Sequence, residues 1–200
     1  DSAYTAYSGG EVWANEKLVE RMRAWVREGH GFIGVGEPTA YAKGGRYFQL
    51  ADVMGVDKEL GFTLGEDKYN IEKKAHFITE DVEGEIDCGE GMKNVYALSG
   101  AEVLDIEFSD RFKRNVNVGE VKLAANDYGK GRGVYMAGLP YSAQNARLFY
   151  RAMFWAAHKE EEMYRAFSTN PDTECSYYPD LNCYAVVNNA SERSDTVFTD

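Results

Sequence analysis

Residues 128–158, YGKGRGVYMAGLPYSAQNARLFYRAMFWAAH, decide the fold because they predict a turn, a strand and a helix in immediate succession. Residues 128–131 are typical of a tight glycine-rich turn, and residues 132–139 predict a strand. Residues 140–142 then form a strand-to-helix loop, and residues 143–158 predict a helix. Four apolar residues recur on one face of that helix: Leu148, Ala152, Trp155 and Ala156.

Helix and strand also follow each other near the start of the chain. Residues 11–28 predict an amphipathic helix that Gly29 ends and that Ser8, or a residue just after it, caps. Its apolar face is formed by Leu18, Met22, Trp25 and Val26. Residues 32–36 form an unbroken apolar run, which is typical of a buried parallel strand. The repeated order of strand, loop and helix predicts an α/β sheet with parallel strands.

The middle of the chain, residues 60–128, contains short β-type runs separated by glycines. The candidate strands there are residues 75–79, 94–98, 103–108 and 116–125. A short helix is predicted at residues 46–56, before this section. After about residue 165 the pattern changes again: residues 167–179 predict a loop, and residues 183–188 predict a strand that opens a further β-rich domain.

The first helix lacks the strand that normally precedes a helix in such a sheet. Residues 1–7 make a poor strand, and the chain starts at Asp1 without a methionine. We therefore expect the missing strand to lie before Asp1, in a longer parent protein.

Charge and composition exclude several classes of partner. The chain has 200 residues with 22 Lys and Arg against 33 Asp and Glu, a net charge of −11. Such acidity argues against a nucleic-acid partner and against a basic helix on a membrane surface. No apolar stretch approaches the length of a membrane span. The cysteines, Cys88, Cys175 and Cys183, are odd in number and widely spaced, which favours reduced thiols in a cytoplasmic protein.

Short motifs that carry chemistry are incomplete. Gly34 and Gly36 give only part of a dinucleotide fingerprint, because the third glycine is missing. Gly36 also stands where a nucleophile elbow would need Ser or Cys. The turn at residues 128–133 lacks the phosphate-loop pattern, and the three histidines are too far apart in sequence to suggest a metal site. We therefore predict no catalytic residue, metal ligand or cofactor in this chain.

Aromatic residues are abundant, with 14 Tyr, 10 Phe and 3 Trp, and many fall in predicted loops. Three interpretations stay open for them: a protein interface, a cover over loop edges of the core, or a direct ligand contact. A carboxylate at the end of the first strand could likewise shape a turn or touch a ligand or another domain. The predicted ligand or interdomain contacts are Ser8, Glu11, Trp13, Glu37, Tyr141 and Ser142.

Three long stretches resemble one family: the 128–158 segment, EVWANEKLVERMRAWVREGHGFIGVGEPTA at residues 11–40 and LADVMGVDKELGFTLGEDKYN at residues 50–70. They are similar to the lacto-N-biose phosphorylases, also called 1,3-β-galactosyl-N-acetylhexosamine phosphorylases, of glycoside hydrolase family 112. The resemblance covers nearly the whole chain. It implies that residues 1–165 form the central domain and that residues 166–200 are a linker and the start of a C-terminal β-domain.

For the central domain, the resemblance implies an α/β, Rossmann-like fold, with a sheet like that of class I glutamine amidotransferases flanked by helices and a β-rich middle section. Gly36 replaces the nucleophile of those amidotransferases, and no His-x-Glu follows the last strand, so their chemistry is excluded. The parent's catalytic TIM-like barrel lies outside this chain. In that family, phosphate attacks a β-1,3-galactoside with inversion while a carboxylic acid protonates the leaving oxygen.

The resemblance therefore implies a non-catalytic central domain of a galactosyl phosphorylase that packs on the barrel and on the C-terminal β-domain and helps a homodimer assemble. Inorganic phosphate would be the co-substrate of the parent and not a ligand of this chain. A carbohydrate- or small-ligand-binding module that uses the Glu37 and Tyr141 loops is the alternative.

Overall fold

A computed structural model describes residues 10–60, 70–108 and 119–189. In chain order, its strands are β1 (Gly31–Val35), β2 (Ala40–Lys43), β3 (Arg46–Phe48), β4 (Val56–Lys58), β5 (Val95–Ala97), β6 (Glu102–Phe108), β7 (Gly119–Tyr128), β8 (Gly131–Met136), β9 (Thr173–Tyr178) and β10 (Cys183–Asn188). Its α-helices are α1 (Glu16–Arg27), α2 (Ala51–Met54) and α3 (Ala143–Ala156). None of the helices in these ranges is both long and apolar enough to cross a bilayer.

The main sheet is mixed, which makes the predicted Rossmann-like, amidotransferase-like fold class wrong. Its four strands lie in the order β1, β8, β7, β6. Only β1 and β8 pair in parallel, whereas β7 pairs antiparallel with both β8 and β6. A two-residue connection joins Tyr128 to Gly131, and a link that short can only reverse the chain. The sheet therefore lacks the succession of parallel strands and crossover helices that a Rossmann-like fold requires.

Strand β8 lies inside the sheet, and its glycines let helices approach its backbone. A Cβ atom at Gly133 would overlap the carbonyl oxygen of Val53 in α2. One at Gly131 would overlap the carbonyl oxygen of Val26 in α1. Any larger residue at these two positions would push the helices away from the sheet.

Two apolar layers cover the opposite faces of the sheet. On one face, Tyr135 and Ala124 pack with α2 and the small β2–β3 and β4–β5 pairs. On the other face, Val134 and Met136 pack with the apolar side of α3. The apolar residues predicted for that helix face, Leu148, Ala152, Trp155 and Ala156, are all buried.

The first helix differs from its prediction at its start and on its apolar face. Gly10–Ala14 form a separate 3₁₀ turn, and Asn15 caps α1 by accepting hydrogen bonds from two backbone N–H groups. Ser8, the predicted cap, lies outside the described residues. Val19 and Val26 face the core, whereas the Trp25 side chain is 44% exposed. Gly29 ends the helix region as predicted, with a φ of +124°.

The shorter elements are predicted unevenly. The candidate strands at 94–98, 103–108 and 116–125 correspond to β5, β6 and β7. The candidate strand at 75–79 instead contains a 3₁₀ turn at Phe77–Thr79, and the helix predicted at 46–56 is divided into β3 and α2. The loop predicted at 167–179 contains β9, which pairs with β10 in an antiparallel hairpin.

A buried arginine on α3 joins the helix to the segment that follows residue 70. The Arg151 residue is only 2% exposed. Its Nη1 donates to the carbonyl oxygen of Phe77 and to Glu80 Oε2, both at 2.9 Å, and its Nε pairs with the Asp81 carboxylate. Its guanidinium lies 4.8 Å from the centre of the Phe77 ring. Removing this side chain would leave the buried Oδ1 of Asp81 and the Phe77 carbonyl oxygen without this partner, although Asp81 Oδ2 would keep its contact with Arg147.

We expect Arg151→Ala to lower the free energy of unfolding by about 2 kcal/mol, because it removes a buried side chain that donates to the Phe77 carbonyl and pairs with the partly buried Asp81. Urea denaturation followed by circular dichroism measures this change. Arg165→Ala on an exposed part of the chain is the control and should change stability by less than about 0.5 kcal/mol. Equal effects of the two substitutions would contradict the role given to Arg151.

His76 caps the 3₁₀ turn Phe77–Thr79 in the same segment. Its ring can accept the capping hydrogen bond only when it is neutral. Its Nδ1 accepts a hydrogen bond from the backbone N–H of Ile78 at 3.1 Å. Burial lowers the pKa of His76 below its usual value of 6.5, and the nearby Arg132 guanidinium lowers it further, although Glu102, Asp127 and Glu160 act in the opposite direction. Protonation would therefore remove the acceptor and place a second cation near Arg132.

The depressed pKa predicts that stability decreases as the pH falls below about 6.5, because the unfolded chain then binds a proton that the folded chain does not. His76→Asn keeps a cap acceptor but removes the titration, so it should reduce this loss between about pH 7.5 and pH 5.5. Urea midpoints at several pH values test this expectation. His158→Asn, at an exposed position with φ of +56°, is the control and should leave the pH dependence unchanged.

Candidate functional site

The parallel pair of β1 and β8 brings two of the predicted loops to one edge of the sheet. Val35 at the end of β1 pairs with Met136 at the end of β8. The next backbone N–H, that of Gly36, donates to the Met136 carbonyl oxygen at 2.9 Å. Glu37 follows β1, and Tyr141 and Ser142 follow β8, so all three residues leave the same edge of the sheet. The carboxyl ends of parallel strands are where α/β sheets place ligands.

Glu37 is half-buried and held by a tyrosine from the next hairpin. The Tyr47 hydroxyl donates to Glu37 Oε1 at 2.9 Å. Lys58 places its Nζ 4.5 Å from the centre of the Tyr47 ring, a cation–π contact that helps fix the ring. The carboxylate is therefore oriented by Tyr47 and is not a freely moving surface group.

A buried aspartate shapes the hairpin that presents Tyr47. Asp57 Oδ1 accepts hydrogen bonds from the backbone N–H groups of Tyr47, Phe48 and Lys58 at 2.9–3.0 Å. Burial raises the pKa of the Asp57 carboxyl, whereas these three N–H groups act against that rise. Because all three donors belong to β3 and β4, Asp57 fixes their spacing and so the position of Tyr47.

The backbone that carries Glu37 is unusual two residues later. Thr39 is buried and has a φ of +59°, in the left-handed region that β-branched residues rarely adopt. Its Oγ1 accepts a hydrogen bond from the Leu50 N–H at 3.1 Å, and its carbonyl oxygen accepts one from the Gln49 N–H. These contacts hold a strained conformation next to the carboxylate, and strain of this kind is concentrated at binding and catalytic sites.

A buried tyrosine lies beneath this edge. The Tyr135 hydroxyl donates to the Gly36 carbonyl oxygen at 3.3 Å. Burial strongly raises the pKa of Tyr135, so its phenol stays protonated and acts as a hydrogen-bond donor at neutral pH. Burial also raises the pKa of the nearby Cys88 thiol, which keeps that thiol out of its nucleophilic thiolate form.

The two residues after β8 differ in what they offer. The Tyr141 side chain is 91% exposed at the edge of the sheet. Ser142 instead caps α3, because its Oγ accepts a hydrogen bond from the Asn145 N–H at 3.1 Å. Tyr141 is thus available to another surface, whereas the Ser142 side chain already has a structural role.

The remaining predicted contacts lie elsewhere. Glu11 and Trp13 belong to the 3₁₀ turn that precedes α1, and this turn packs beside β2. Glu11 is exposed, whereas Trp13 packs against a cluster that contains Val19 and Leu50. Ser8 lies outside the described residues. The interpretation of all six residues as ligand or interdomain contacts stays a prediction.

Sequence reasoning missed the residues that orient Glu37. Tyr47 and Asp57 form contacts across a hairpin that was predicted to be part of a helix, so no local pattern pointed to them. Asp57 opens the charged run at residues 57–59, so the sequence did not distinguish it from its solvated neighbours. Within the described ranges, no group of three or more potential metal-ligating side chains occurs.

Family comparisons cover nearly all of the chain. Residues 1–161 match a family model described as the lacto-N-biose phosphorylase central domain. Residues 167–200 match one described as the lacto-N-biose phosphorylase C-terminal domain.

Characterised relatives are similar along the same length. A 1,3-β-galactosyl-N-acetylhexosamine phosphorylase of Lachnoclostridium phytofermentans is 48% identical over 99% of this chain, which spans 26% of that protein. One from Bifidobacterium longum subsp. longum is 41% identical over 98% of this chain and 29% of its own length. A D-galactosyl-β-1→4-L-rhamnose phosphorylase of Lachnoclostridium phytofermentans is 29% identical. The chain thus spans about a quarter of the length of these relatives.

A solved structure is also similar at a greater distance. The β-galactosidase from Bacillus circulans sp. alkalophilus aligns with 80% of this chain and 23% of its own, at 16% identity and a TM-score of 0.42. A likeness this distant bears on neither the function nor the site.

The Tyr47–Glu37 hydrogen bond predicts an energetic coupling between the two residues. We expect Tyr47→Phe to lower the free energy of unfolding by about 1 kcal/mol, because it leaves the partly buried carboxylate without that donor. The loss should largely disappear in the Glu37→Ala background, which has no side-chain acceptor, and a double-mutant cycle from urea denaturation measures the coupling. Tyr178→Phe on the exposed hairpin is the control, and additive effects of the Tyr47 and Glu37 changes would refute the coupling.

Proposed function

The chain belongs to the lacto-N-biose phosphorylase family, and from this premise we propose that it is the central part of a phosphorylase acting on β-1,3-galactosyl-N-acetylhexosamines. In the proposed reaction, phosphate attacks the galactosyl carbon as the glycosidic bond breaks. The products are galactose 1-phosphate and an N-acetylhexosamine whose leaving oxygen takes up a proton. The proposal is carried by relatives of this specificity that are 41–48% identical over nearly the whole chain.

We propose that this part of the protein is itself non-catalytic. Four of the described groups that could act as nucleophiles or acids are occupied or held inactive, which supports this role. The Cys88 thiol and the Tyr135 phenol are buried with raised pKa values, and His76 Nδ1 is engaged with the backbone. Glu37 accepts a hydrogen bond from Tyr47. The acid and the phosphate contacts would then belong to the three quarters of the protein outside these residues.

The proposed structural task is to pack on the barrel and the C-terminal β-domain of the parent and to help a homodimer assemble. A half-exposed apolar stripe on α1 supports it. Leu18, Met22 and Trp25 follow one another at helical spacing, but the buried residues of the helix are Val19 and Val26, and Met22 packs only partly against their cluster. Beside Trp25 runs an open groove of about 420 Å³ that is lined by Arg21, Met22, Ala24, Trp25 and Glu28. Exposed apolar surface of this kind is typical of an interface.

The remaining parts of the proposal rest on less specific features. A cytoplasmic location is favoured by the three cysteines, which are all unpaired.

A carbohydrate- or small-ligand-binding module at the Glu37 and Tyr141 loops remains the second candidate, supported by the exposure of Tyr141 at the strand ends.

The proposed function predicts different activities for the chain and for its parent. The 200-residue chain, incubated with lacto-N-biose and inorganic phosphate, should release no galactose 1-phosphate, whereas the full-length parent should release it. Anion-exchange chromatography of the products measures both. A full-length parent that produces none would refute the phosphorylase assignment. Turnover by the 200-residue chain would refute the non-catalytic role and leave the family assignment standing.

A further inference from the structure

A polar cavity lies at the opposite end of β8 from the Glu37 edge. It has a volume of about 220 Å³ and opens where β7 ends, β8 begins and α3 reaches its last turn. Its lining residues are His76, Gly100, Glu102, Ala125, Asn126, Asp127, Arg132 and Trp155. We propose that this cavity binds one neutral polyhydroxylated ring, such as a hexose, at a site separate from catalysis.

A gap between two charged groups is the first observation that supports this site. Arg132 Nη1 donates to the carbonyl oxygen of Trp155 at 2.7 Å and also pairs with the Glu160 carboxylate. Arg132 Nε is buried and forms no hydrogen bond with the protein. The nearest carboxylate oxygen of Asp127 lies 3.6 Å from it, too far for a hydrogen bond. A ligand hydroxyl can donate directly to the exposed Asp127 carboxylate, whereas it can accept from the buried Nε only if the Arg132 side chain shifts toward the cavity.

The histidine supplies a second donor. Because His76 Nδ1 accepts from the Ile78 N–H, the neutral ring carries its proton on Nε2. The ring stands at 69° to the Trp155 ring, with 4.9 Å between their centroids, so the contact fixes its orientation. The Arg132 guanidinium lies 4.6 Å from the centre of the same indole. Trp155 therefore positions both donors beside the cavity.

Charges of both signs alternate around the cavity, which selects against ions. An anion would meet the carboxylates of Glu102, Asp127 and Glu160 in addition to Arg132. A cation would meet Arg132, as well as Lys74, whose Nζ lies 3.6 Å from Glu102. Groups able to chelate a metal ion are likewise absent from the described residues. A ligand with several hydroxyl groups meets no such repulsion, because each hydroxyl both donates and accepts.

The size of the cavity limits the ligand to one ring. The cavity has a volume of about 220 Å³. Pockets for drug-sized ligands start at about 300 Å³. A single hexose ring fits this space, whereas a disaccharide would have to extend into the solvent.

Titration of the ¹⁵N-labelled 200-residue chain with D-galactose and D-glucose, followed by amide chemical shifts, tests the site. We expect saturable shifts at Gly100, Glu102, Asp127 and Arg132 for at least one of the two sugars. Asp127→Asn should weaken the binding about tenfold, because it weakens a charge-assisted hydrogen bond. The Asp127 side chain is 83% exposed, so this substitution should leave the fold intact. Asp180→Asn on the exposed hairpin is the matched control and should bind normally.

Three results would overturn the site. The first is the absence of saturable shifts at these amides with either sugar. The second is an equal response of the same amides to inorganic phosphate, which would indicate an anion site. The third is binding that survives Asp127→Asn but is lost in Glu37→Ala, which would place the sugar at the strand-end loops. None of these results bears on the proposed phosphorylase activity, because turnover does not require this cavity to be occupied.

Discussion

The rest of the structure depends on the close approach of two helices to strand β8. The carbonyl oxygens of Val53 and Val26 lie where a side chain would stand at Gly133 and Gly131. With α1 and α2 pressed against the strand, the other face of the sheet is left for α3 and its apolar side chains. An interior strand with two glycines therefore sets the thickness of the whole domain, since packed layers tolerate little added volume.

The same strand connects the two polar regions of the molecule. At its carboxyl end, parallel pairing with β1 aligns the Glu37 loop with the Tyr141 loop. At its amino end, Arg132 is held between the last turn of α3 and the end of β7. Both regions can be rigid because β8 has a paired strand on each side, and rigid elements position side chains better than free loops do.

Much of this arrangement could be predicted from the sequence, but the direction of the strands could not be read from their order alone. The residues of β8 and α3 and the turn between β7 and β8 follow directly from local patterns. The two-residue turn at Lys130 can join only antiparallel strands, so it excludes a fully parallel sheet. The strand-loop-helix order favours a parallel sheet and is therefore the weaker indicator here. The convergence of Glu37 and Tyr141 was predictable, because it needs only the β1 and β8 strand ends. The contact with Tyr47 was not, because it depends on a hairpin held by Asp57.

The first helix shows why periodicity alone could not separate core from interface. Leu18, Met22 and Trp25 form as regular a stripe as Val19 and Val26, and the two stripes are neighbours on the helix surface. The contact of Val26 with the Gly131 region of β8 selects which stripe is buried, and this contact depends on a residue about a hundred positions away. The stripe left half-exposed is then an apolar surface with an adjoining groove. The proposed packing on the rest of the parent, or on a second subunit, would cover such a surface.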